Sequence, residues 1–244
     1  MIDEWGKGAK YWDKPWNPVI GCKKVSEGCA NCYAERICAK FGQWKHKDFR
    51  PQPGNCGKPP KRGVVFVGNM TDIFGEWNCA SDICAWVGAL YKRSAINLLL
   101  TKRPQRAKFI FGGGFGNHIW YGVTAETQAR LEERCAEFHS ISANRWISVE
   151  PMLERMDLTV NGSSNDRIID CLDWVVVGAE SGPNRRPCSL DWVRGIVRQC
   201  QDHGVKVFVK QLDIGGKLVK DILEFPEDLQ IRQVPWKAKM RDER

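Results

Sequence analysis

The chain lacks any apolar run long enough to cross a membrane. Its longest largely apolar stretches, Val64–Val67 and Ile96–Leu100, have the length of strands, whereas a membrane-spanning helix needs about 20 residues. Residues 1–16 mix acidic and basic side chains, so they lack the apolar core of a secretory signal. We therefore expect a cytoplasmic protein.

Proline, glycine and cysteine are too few to place the chain in a special structural class. There are 12 prolines and 23 glycines in 244 residues, and 43% of the residues are hydrophobic, which argues against disordered and collagen-like chains. The 11 cysteines make up about 4.5% of the 244 residues. Small disulfide scaffolds typically contain roughly 8–10% cysteine. In a reducing cytosol, clustered cysteines bind metals or take part in catalysis more often than they form disulfides.

Length and charge leave the architecture and the partner open. A chain of 244 residues fits either one α/β barrel or two small domains. The net charge of +8 permits a polyanionic partner but does not require one.

Short apolar runs alternate with amphipathic stretches along the sequence, which favours an α/β fold. The predicted strands are Pro18–Ile20, Val64–Val67, Asn97–Leu100, Ile119–Val123, Arg145–Val149, Trp174–Val177 and Lys206–Val209. The predicted helices are Ala30–Phe41, Ser81–Arg93, Ala125–His139 and Asp191–His203, the last with Ser189 before it as N-cap. We predict a single domain over residues 1–244, a partial (β/α) TIM-type barrel of six to seven parallel strands.

Two segments fall outside this alternation. Residues 40–62 are rich in proline, glycine and basic side chains, which indicates a long irregular insertion. A C-terminal extension begins at about residue 216.

Polar residues follow the predicted strands. In parallel α/β barrels the loops at the carboxyl ends of the strands converge on the active site. We therefore expect a group of cysteines, three glutamates, one aspartate and two lysines to face one cavity. The alternative is that these loops are polar simply because they are exposed.

Cys22, Cys29 and Cys32 form the pattern C-x6-C-x2-C. Three thiolates on one loop can hold three irons of a [4Fe–4S] cluster and leave the fourth iron open to a small ligand. The alternative is a structural zinc site with Cys38 as a fourth ligand. The spacing alone does not decide between the two. The position after the first predicted strand, at the expected active-site mouth, favours the cluster.

Several segments together resemble a phage-associated, radical-SAM-like protein family, over about residues 12–215. They are Trp16–Cys22, Cys29–Arg36, Val65–Phe74, Leu100–Pro104, Gly122–Gln128, Ser148–Met152, Asp173–Gly182 and Val209–Gln211. The resemblance implies a [4Fe–4S] cluster on Cys22, Cys29 and Cys32, and cleavage of S-adenosylmethionine to a 5′-deoxyadenosyl radical. It also implies an electron donor such as flavodoxin or ferredoxin, and the cytosol of a phage-infected or bacterial cell.

The sequence departs from the commonest radical SAM pattern in two places. Its first cysteine gap is three residues longer than in C-x3-C-x2-C, and the loop after the second predicted strand lacks the usual glycine-glycine-glutamate segment. Asn69 and Asp72 in that loop are candidate replacements as acceptors for the cofactor.

The resemblance and the strand ends together predict roles for further residues. The candidate cofactor-binding residues are Asn69, Asp72, Thr101, Lys102, Thr124, Glu126, Ser148 and Glu150. The candidate catalytic residues on the substrate side are Glu180 and Lys210. Two alternatives remain: Glu150 forms an ion pair with Arg145 or Arg155, and Lys102 and Arg103 belong to a solvated face.

Basic residues interleaved with aromatic ones suit a nucleic-acid backbone with base stacking. The candidate nucleic-acid contacts are Lys45, Lys47, Arg50, Arg62 and Arg103. We therefore hypothesise that the enzyme modifies, rearranges or repairs a nucleic-acid base, such as a hypermodified base of phage DNA. The alternatives are a radical SAM enzyme that acts on a small molecule or peptide, and a non-catalytic zinc-stabilised nucleic-acid-binding module.

Overall fold

A computed structural model describes residues 9–41, 52–53, 57–112, 114–136, 141–162 and 166–236. The chain divides into two compact units. The first, here called the N-terminal unit, comprises the described residues of 12–123 and 140–144. The second, the C-terminal unit, comprises the described residues of 1–11, 124–139 and 145–244.

The strands of the N-terminal unit are mostly parallel. They are β1 (Lys14–Trp16), β2 (Val19–Ile20), β3 (Gln52–Pro53), β4 (Val64–Val67), β5 (Ile96–Thr101) and β6 (Ile119–Thr124). Strands β1, β4, β5 and β6 are neighbours in that order and all run parallel, whereas β2 pairs antiparallel with β3. All four residues of β4 are buried, as expected for an apolar central strand of a parallel sheet.

Three helices belong to this unit: α1 (Tyr33–Phe41), α2 (Ala80–Leu90) and α3 (Pro104–Phe111). Helix α3 was not predicted from the sequence, because its eight residues carry no clear apolar stripe. Its start has a simple reason, since Pro104 occupies the first turn, where its missing N–H is not needed. This helix fixes the direction in which the chain leaves β5.

The strands of the C-terminal unit are also mostly parallel. Its strands are β7 (Asn144–Val149), β8 (Trp174–Gly178), β9 (Lys206–Ile214) and β10 (Lys217–Val219). The first three run parallel, and β10 pairs antiparallel with β9. Its helices are α4 (Gln128–Cys135) and α5 (Leu190–Asp202). The predicted N-cap of α5 is confirmed, because the Ser189 hydroxyl accepts a hydrogen bond from the Asp191 N–H at 3.2 Å.

Aromatic side chains fill the core of the C-terminal unit. The ring of Trp174 lies 5.1 Å from that of Trp146, 5.2 Å from that of Tyr11 and 4.8 Å from that of Trp236. The Trp174 indole N–H donates to the Gln233 carbonyl at 2.9 Å. The segment after β10 therefore belongs to the core of this unit.

The α/β prediction is confirmed, but the first strand was placed wrongly. The strand that joins the parallel strands is β1, not Pro18–Ile20, and it contains Pro15. Proline is tolerated at a sheet edge, where β1 lies, because no ladder hydrogen bond is lost there. Within the N-terminal unit the parallel strands follow the order β1-β4-β5-β6, and within the C-terminal unit the order is β7-β8-β9-β10.

The predicted segments outside the α/β alternation are partly described. Much of the insertion at residues 40–62 lies outside the described residues. The predicted extension contains β10 and the short 3-10 turns Ile222–Glu224 and Glu227–Leu229. Among the described helices, none has the length and hydropathy needed to span a membrane.

Candidate functional site

The three candidate metal ligands lie on the segment that connects β2 to α1, which we call the cysteine loop (residues 21–33). Cys22 follows β2 closely, Cys29 ends a 3-10 turn over Glu27–Cys29, and Cys32 directly precedes α1. All three thiols are half-buried. The loop is therefore neither part of the core nor fully open to solvent.

Hydrogen bonds attach the cysteine loop to the segment that follows β4. The Gly21 N–H donates to the Met70 carbonyl at 3.1 Å, and the Thr71 hydroxyl donates to the Gly21 carbonyl at 2.6 Å. At the other end of the loop, the Tyr33 hydroxyl donates to the Asn69 carbonyl. The cysteine loop therefore lies over the carboxyl end of a buried parallel strand.

Arg103, directly before α3, ties the cysteine loop to two carboxylates. Its guanidinium donates to the Lys23 carbonyl at 3.0 Å, to Asp72 Oδ2 at 3.1 Å and to Glu76 Oε1 at 2.9 Å. It also lies 4.7 Å from the centre of the Trp77 ring, as in a cation–π contact. The side chain is only 6% exposed, so its donors are used within the protein.

Asp72 is the centre of this group. It accepts from the Thr101 hydroxyl at 2.8 Å and from the Lys102 N–H at 3.0 Å, in addition to Arg103. We call Asp72, Thr101 and Arg103 the Asp72 cluster. The residues come from the ends of the neighbouring strands β4 and β5, as expected where parallel strands end at one edge.

The surroundings shift the pKa values of two cysteine thiols in opposite directions. Burial and the nearby Asp72 carboxylate raise the pKa of Cys22 to about 12, against weaker opposing effects of Arg103 and a backbone hydrogen bond. For Cys29, burial also raises the pKa, but Lys102 and hydrogen bonds from Val25 and Ser26 outweigh it and lower the pKa overall. The two thiols are therefore unequal in the free protein.

The three cysteines on one loop are the ligand type of an iron–sulfur cluster and equally of a zinc site. The positions of the three thiols fit a metal site less well than their chemistry does. Within the described residues, no group of three or more His, Cys, Asp and Glu side chains is arranged to hold a metal ion. The ligand types are thus present on one segment without being drawn together into one ligand set.

In the C-terminal unit, Glu150, which directly follows β7, comes together with Lys210, which lies within β9 and not after it as predicted. Lys210 Nζ lies 2.6 Å from Glu150 Oε1 and 5.7 Å from the centre of the Tyr11 ring. Glu150 therefore pairs with Lys210, and not with Arg145 or Arg155 as the alternative predicted. Its partner was one of the predicted catalytic residues.

Glu180 lies after β8 and binds a residue that the sequence did not indicate. Its carboxylate accepts from both the backbone N–H and the Nε of Arg186, each at 2.9 Å. The glutamate is 4% exposed, whereas the arginine side chain is 34% exposed. The ion pair therefore presents its cationic side to solvent.

Glu126 was predicted to bind the cofactor, but it forms a buried ion pair instead. Its carboxylate is fully buried and lies 2.5 Å from Arg134 Nη1, which also donates to the Thr124 carbonyl. A carboxylate enclosed in this way is not accessible to a cofactor, so we correct its role to a structural ion pair. The neighbouring candidates Thr124 and Ser148 are also buried, at 3% and 2% exposure.

Asn69 lies in the segment after β4 as predicted. Its side-chain oxygen accepts from the Asn17 amide at 2.7 Å, and its backbone carbonyl accepts from Tyr33. The residue thus contributes to the attachment of the cysteine loop.

The predicted nucleic-acid contacts fall into three groups. Lys45, Lys47 and Arg50 lie outside the described residues, and Arg62 is exposed. Arg103 is buried and bound to two carboxylates, so its predicted nucleic-acid role is corrected to one of positioning the cysteine loop. The same burial excludes Arg103 from a solvated basic face.

Sequence reasoning missed the partners of the key charges. Glu76, Trp77, Arg134 and Arg186 gave no signal beyond an ordinary charged or aromatic residue in a loop or helix. Glu76 lies 27 residues before its partner Arg103, and Arg134 lies eight residues after its partner Glu126. Only the backbone path brings the members of each pair together.

For the other eight cysteines the sequence predicts mostly buried thiols, because free cysteine is among the residue types most often buried. Among the described ones, Cys38, Cys135, Cys188 and Cys200 are buried, Cys171 is half-buried, and Cys79 and Cys84 are exposed. Cys56 lies outside the described residues. The prediction is thus confirmed for four of them and is wrong for Cys79 and Cys84.

The fold and the site define an α/β protein whose cysteine loop is anchored over the ends of parallel strands. Residues 7–224 match the family model described as a protein of unknown function (DUF5131), and the chain belongs to that family. No curated protein and no solved structure matched the chain.

Proposed function

We propose that this protein is a radical S-adenosylmethionine enzyme that modifies, rearranges or repairs a nucleic-acid base. The proposal includes a [4Fe–4S] cluster on Cys22, Cys29 and Cys32, and the partial (β/α) barrel architecture that the sequence resemblance implies. A low-potential protein such as a flavodoxin or ferredoxin would supply electrons.

One observation carries the proposal: the cysteine loop is tied to buried charged residues at the ends of β4 and β5. Arg103 joins the Lys23 carbonyl to Asp72, and Lys102 lies close enough to Cys29 to lower its thiol pKa. A purely structural metal site gains nothing from buried charged residues at the ends of β4 and β5 beside it. A reactive centre, in contrast, benefits when its ligands are held in a fixed position and when nearby charges set their protonation state.

Within this proposal the chain holds and orients, while the bound group supplies the reactivity. When bound, the cluster and S-adenosylmethionine together supply an electron transfer that breaks a carbon–sulfur bond and yields methionine and a 5′-deoxyadenosyl radical. Arg103 keeps the loop backbone at Lys23 in position. Lys102 contributes positive charge beside Cys29, which favours its thiolate form.

Within the C-terminal unit, two ion pairs are candidate substrate contacts in their own right. The Glu150–Lys210 pair offers a carboxylate and an ammonium group that are both only partly buried. Such a pair offers a hydrogen-bond acceptor and a cationic donor to a polar substrate. Glu180 fixes Arg186, whose exposed guanidinium suits a phosphate or carboxylate.

Anaerobic reconstitution with iron and sulfide tests the enzyme proposal. We expect about four irons per chain in the wild type, an electron paramagnetic resonance signal after reduction, and 5′-deoxyadenosine when S-adenosylmethionine is added. Cys22→Ser, Cys29→Ser and Cys32→Ser should each abolish all three. Cys84→Ser, an exposed cysteine in α2, is the matched control and should behave as wild type. A wild-type protein that forms no cluster, or no 5′-deoxyadenosine, would refute the proposal.

A zinc-stabilised nucleic-acid-binding module is the second candidate, and Cys38 favours it. The Cys38 thiol lies on α1 close enough to Cys32 for the two to interact, so a fourth thiol is present beside the cysteine loop. If four cysteines hold a zinc ion, Cys38→Ser should lose the metal as completely as Cys22→Ser does. If the cluster proposal holds, Cys38→Ser should retain iron while Cys22→Ser does not.

A further inference from the structure

The two units differ sharply in charge. The sequence of residues 12–123 and 140–144 contains 17 Lys and Arg against 7 Asp and Glu, a net charge of +10. The rest of the chain contains 20 Lys and Arg against 22 Asp and Glu, a net charge of −2. The modest net charge of +8 therefore conceals a strongly basic unit, and that unit carries the cysteine loop.

Exposed apolar side chains concentrate in the same unit. Among the described residues, six large hydrophobic side chains are exposed, and five of them lie in the N-terminal unit: Val25, Tyr33, Ile37, Tyr91 and Phe109. Phe109 on α3 is 86% exposed, and its neighbour Lys108 is exposed as well. A single exposed apolar residue needs no explanation, but a concentration within one basic unit does.

Helix α1 brings both features together beside the cysteine loop. Tyr33, Arg36, Ile37 and Lys40 are spaced so that they share one face of the helix, and all four are exposed. The opposite face is buried through Ala34 and Cys38. Helix α1 starts directly after Cys32, so its first turn adjoins the third candidate ligand.

The pattern suits a nucleic acid better than an acidic protein. The centre of a protein interface is usually poor in lysine, whereas here basic and apolar side chains alternate along one face. Basic side chains also extend beyond α1, with exposed Lys58, Lys61, Arg62 and Lys92 in the same unit. A long uniform polyanion matches positive charge that is spread over a whole unit.

We infer that the exposed face of α1, with Tyr33, Arg36, Ile37 and Lys40, binds single-stranded or locally opened nucleic acid beside the cysteine loop. Arg36 and Lys40 would contact phosphates, and the Tyr33 ring would stack on a base. This inference rests on the proposed function and deepens it by naming the surface that brings the substrate to the cysteine loop.

Fluorescence anisotropy of the full-length reconstituted protein with a labelled single-stranded DNA tests this surface. The charge-reversal variant Arg36→Glu/Lys40→Glu should weaken binding about tenfold or more at low salt and reduce the slope of log K against log salt. The matched control, Lys206→Glu/Lys217→Glu, makes the same charge change with exposed lysines of the C-terminal unit. It should change binding less than about twofold if local contacts matter more than net charge.

A second pair of variants tests base stacking. Tyr33→Leu and Tyr33→Phe both lose the hydroxyl that binds Asn69, but only the first loses the ring. Tyr33→Leu should weaken DNA binding about fivefold or more, because aromatic stacking contributes to each bound base. Tyr33→Phe keeps the ring and should bind DNA more tightly than Tyr33→Leu. Binding of heparin, a polyanion without bases, should be equal for the two variants.

The outcomes separate this inference from the proposed function. Equal weakening by the two charge-reversal variants would overturn the surface, as would binding of an acidic flavodoxin but of no oligonucleotide. A protein that forms 5′-deoxyadenosine but binds no DNA would reject the surface and keep the enzyme. A protein that binds DNA through α1 without forming 5′-deoxyadenosine would support the surface and refute the enzyme proposal.

Discussion

Buried charges carry much of the local structure of this protein. Asp72 and Arg103 hold the cysteine loop over two strand ends, and Glu126 and Arg134 form a fully enclosed pair. A buried ion pair is a weak source of net stability, but removal of one partner leaves a charge without compensation. The consequences of substitution at these positions therefore depend on which partner is left behind.

Arg134→Met tests the enclosed pair. It leaves the Glu126 carboxylate buried without its cation, and we expect the free energy of unfolding to fall by about 3–5 kcal/mol. Urea denaturation at neutral pH measures this change. The double variant Glu126→Gln/Arg134→Met removes both charges and should recover most of the loss. A single variant that is as stable as wild type would contradict the expectation that the unpaired, buried Glu126 carboxylate lowers the free energy of unfolding.

Arg103→Met tests the hold on the cysteine loop. Loss of the hydrogen bond to the Lys23 carbonyl should let the loop open more often, because such bonds to a charged donor stabilise strongly. We expect trypsin to cleave after Lys23 or Lys24 about fivefold faster or more, as followed by mass spectrometry. Arg106→Met is the control, since Arg106 binds the Asn78 carbonyl instead. Equal cleavage rates in the two variants would contradict the role of Arg103.

Thiol reactivity should separate buried from exposed cysteines. Burial, together with Asp213 in the case of Cys188, raises the pKa values of Cys188 and Cys200 to about 12. Since the reactive thiolate forms only as the pH approaches the pKa, both should resist iodoacetamide at pH near 8, roughly four units below. The exposed Cys79 and Cys84 should react readily. Peptide mapping reports each site, and denaturant should make all four reactive.

The helices and strands show where sequence patterns carry information. Apolar runs located β4 to within its observed bounds, because a strand buried on both faces must be continuously apolar. The pattern failed for β1 and α3, which are short and carry no regular spacing of apolar residues. The position of β1 depends on its pairing with β4, and that of α3 depends on the direction of the chain after β5. Local composition predicts neither.

Helix caps are a second local signal, and α5 offers a test. Ser189→Ala removes the hydroxyl that accepts from the Asp191 N–H, and we expect it to cost about 1 kcal/mol of unfolding free energy. Ser189→Asp keeps an acceptor and should be close to wild type. Urea denaturation of both variants provides the comparison. A loss as large for aspartate as for alanine would show that the cap hydrogen bond is not the cause.

The whole chain depends on its C-terminal segment as well as on its strands. Five apolar side chains of this segment are at most 5% exposed: Ile222, Phe225, Leu229, Val234 and Trp236. The guanidinium of Arg232 donates to the carbonyls of Val209, Lys210 and Lys220. The segment therefore completes the C-terminal unit.

Leu229→Ala and Leu223→Ala test this dependence with one chemical change. Leu229 is fully buried and Leu223 is 64% exposed. We expect the first variant to lower the free energy of unfolding by about 2–5 kcal/mol. The second should lie within about 0.5 kcal/mol of wild type. Thermal or urea unfolding followed by tryptophan fluorescence measures both, and similar values would show that the segment is not part of the core.

The sequence by itself determined the features that depend on neighbours within a few residues: the α/β alternation, the cysteine spacing, the cap of α5 and the excess of positive charge. The tertiary structure decided which charges meet, that Arg103 holds the cysteine loop and not a phosphate, and that Glu126 is enclosed. These contacts join residues far apart in the chain, such as Lys23 and Arg103, and only the folded backbone brings such residues within hydrogen-bonding distance.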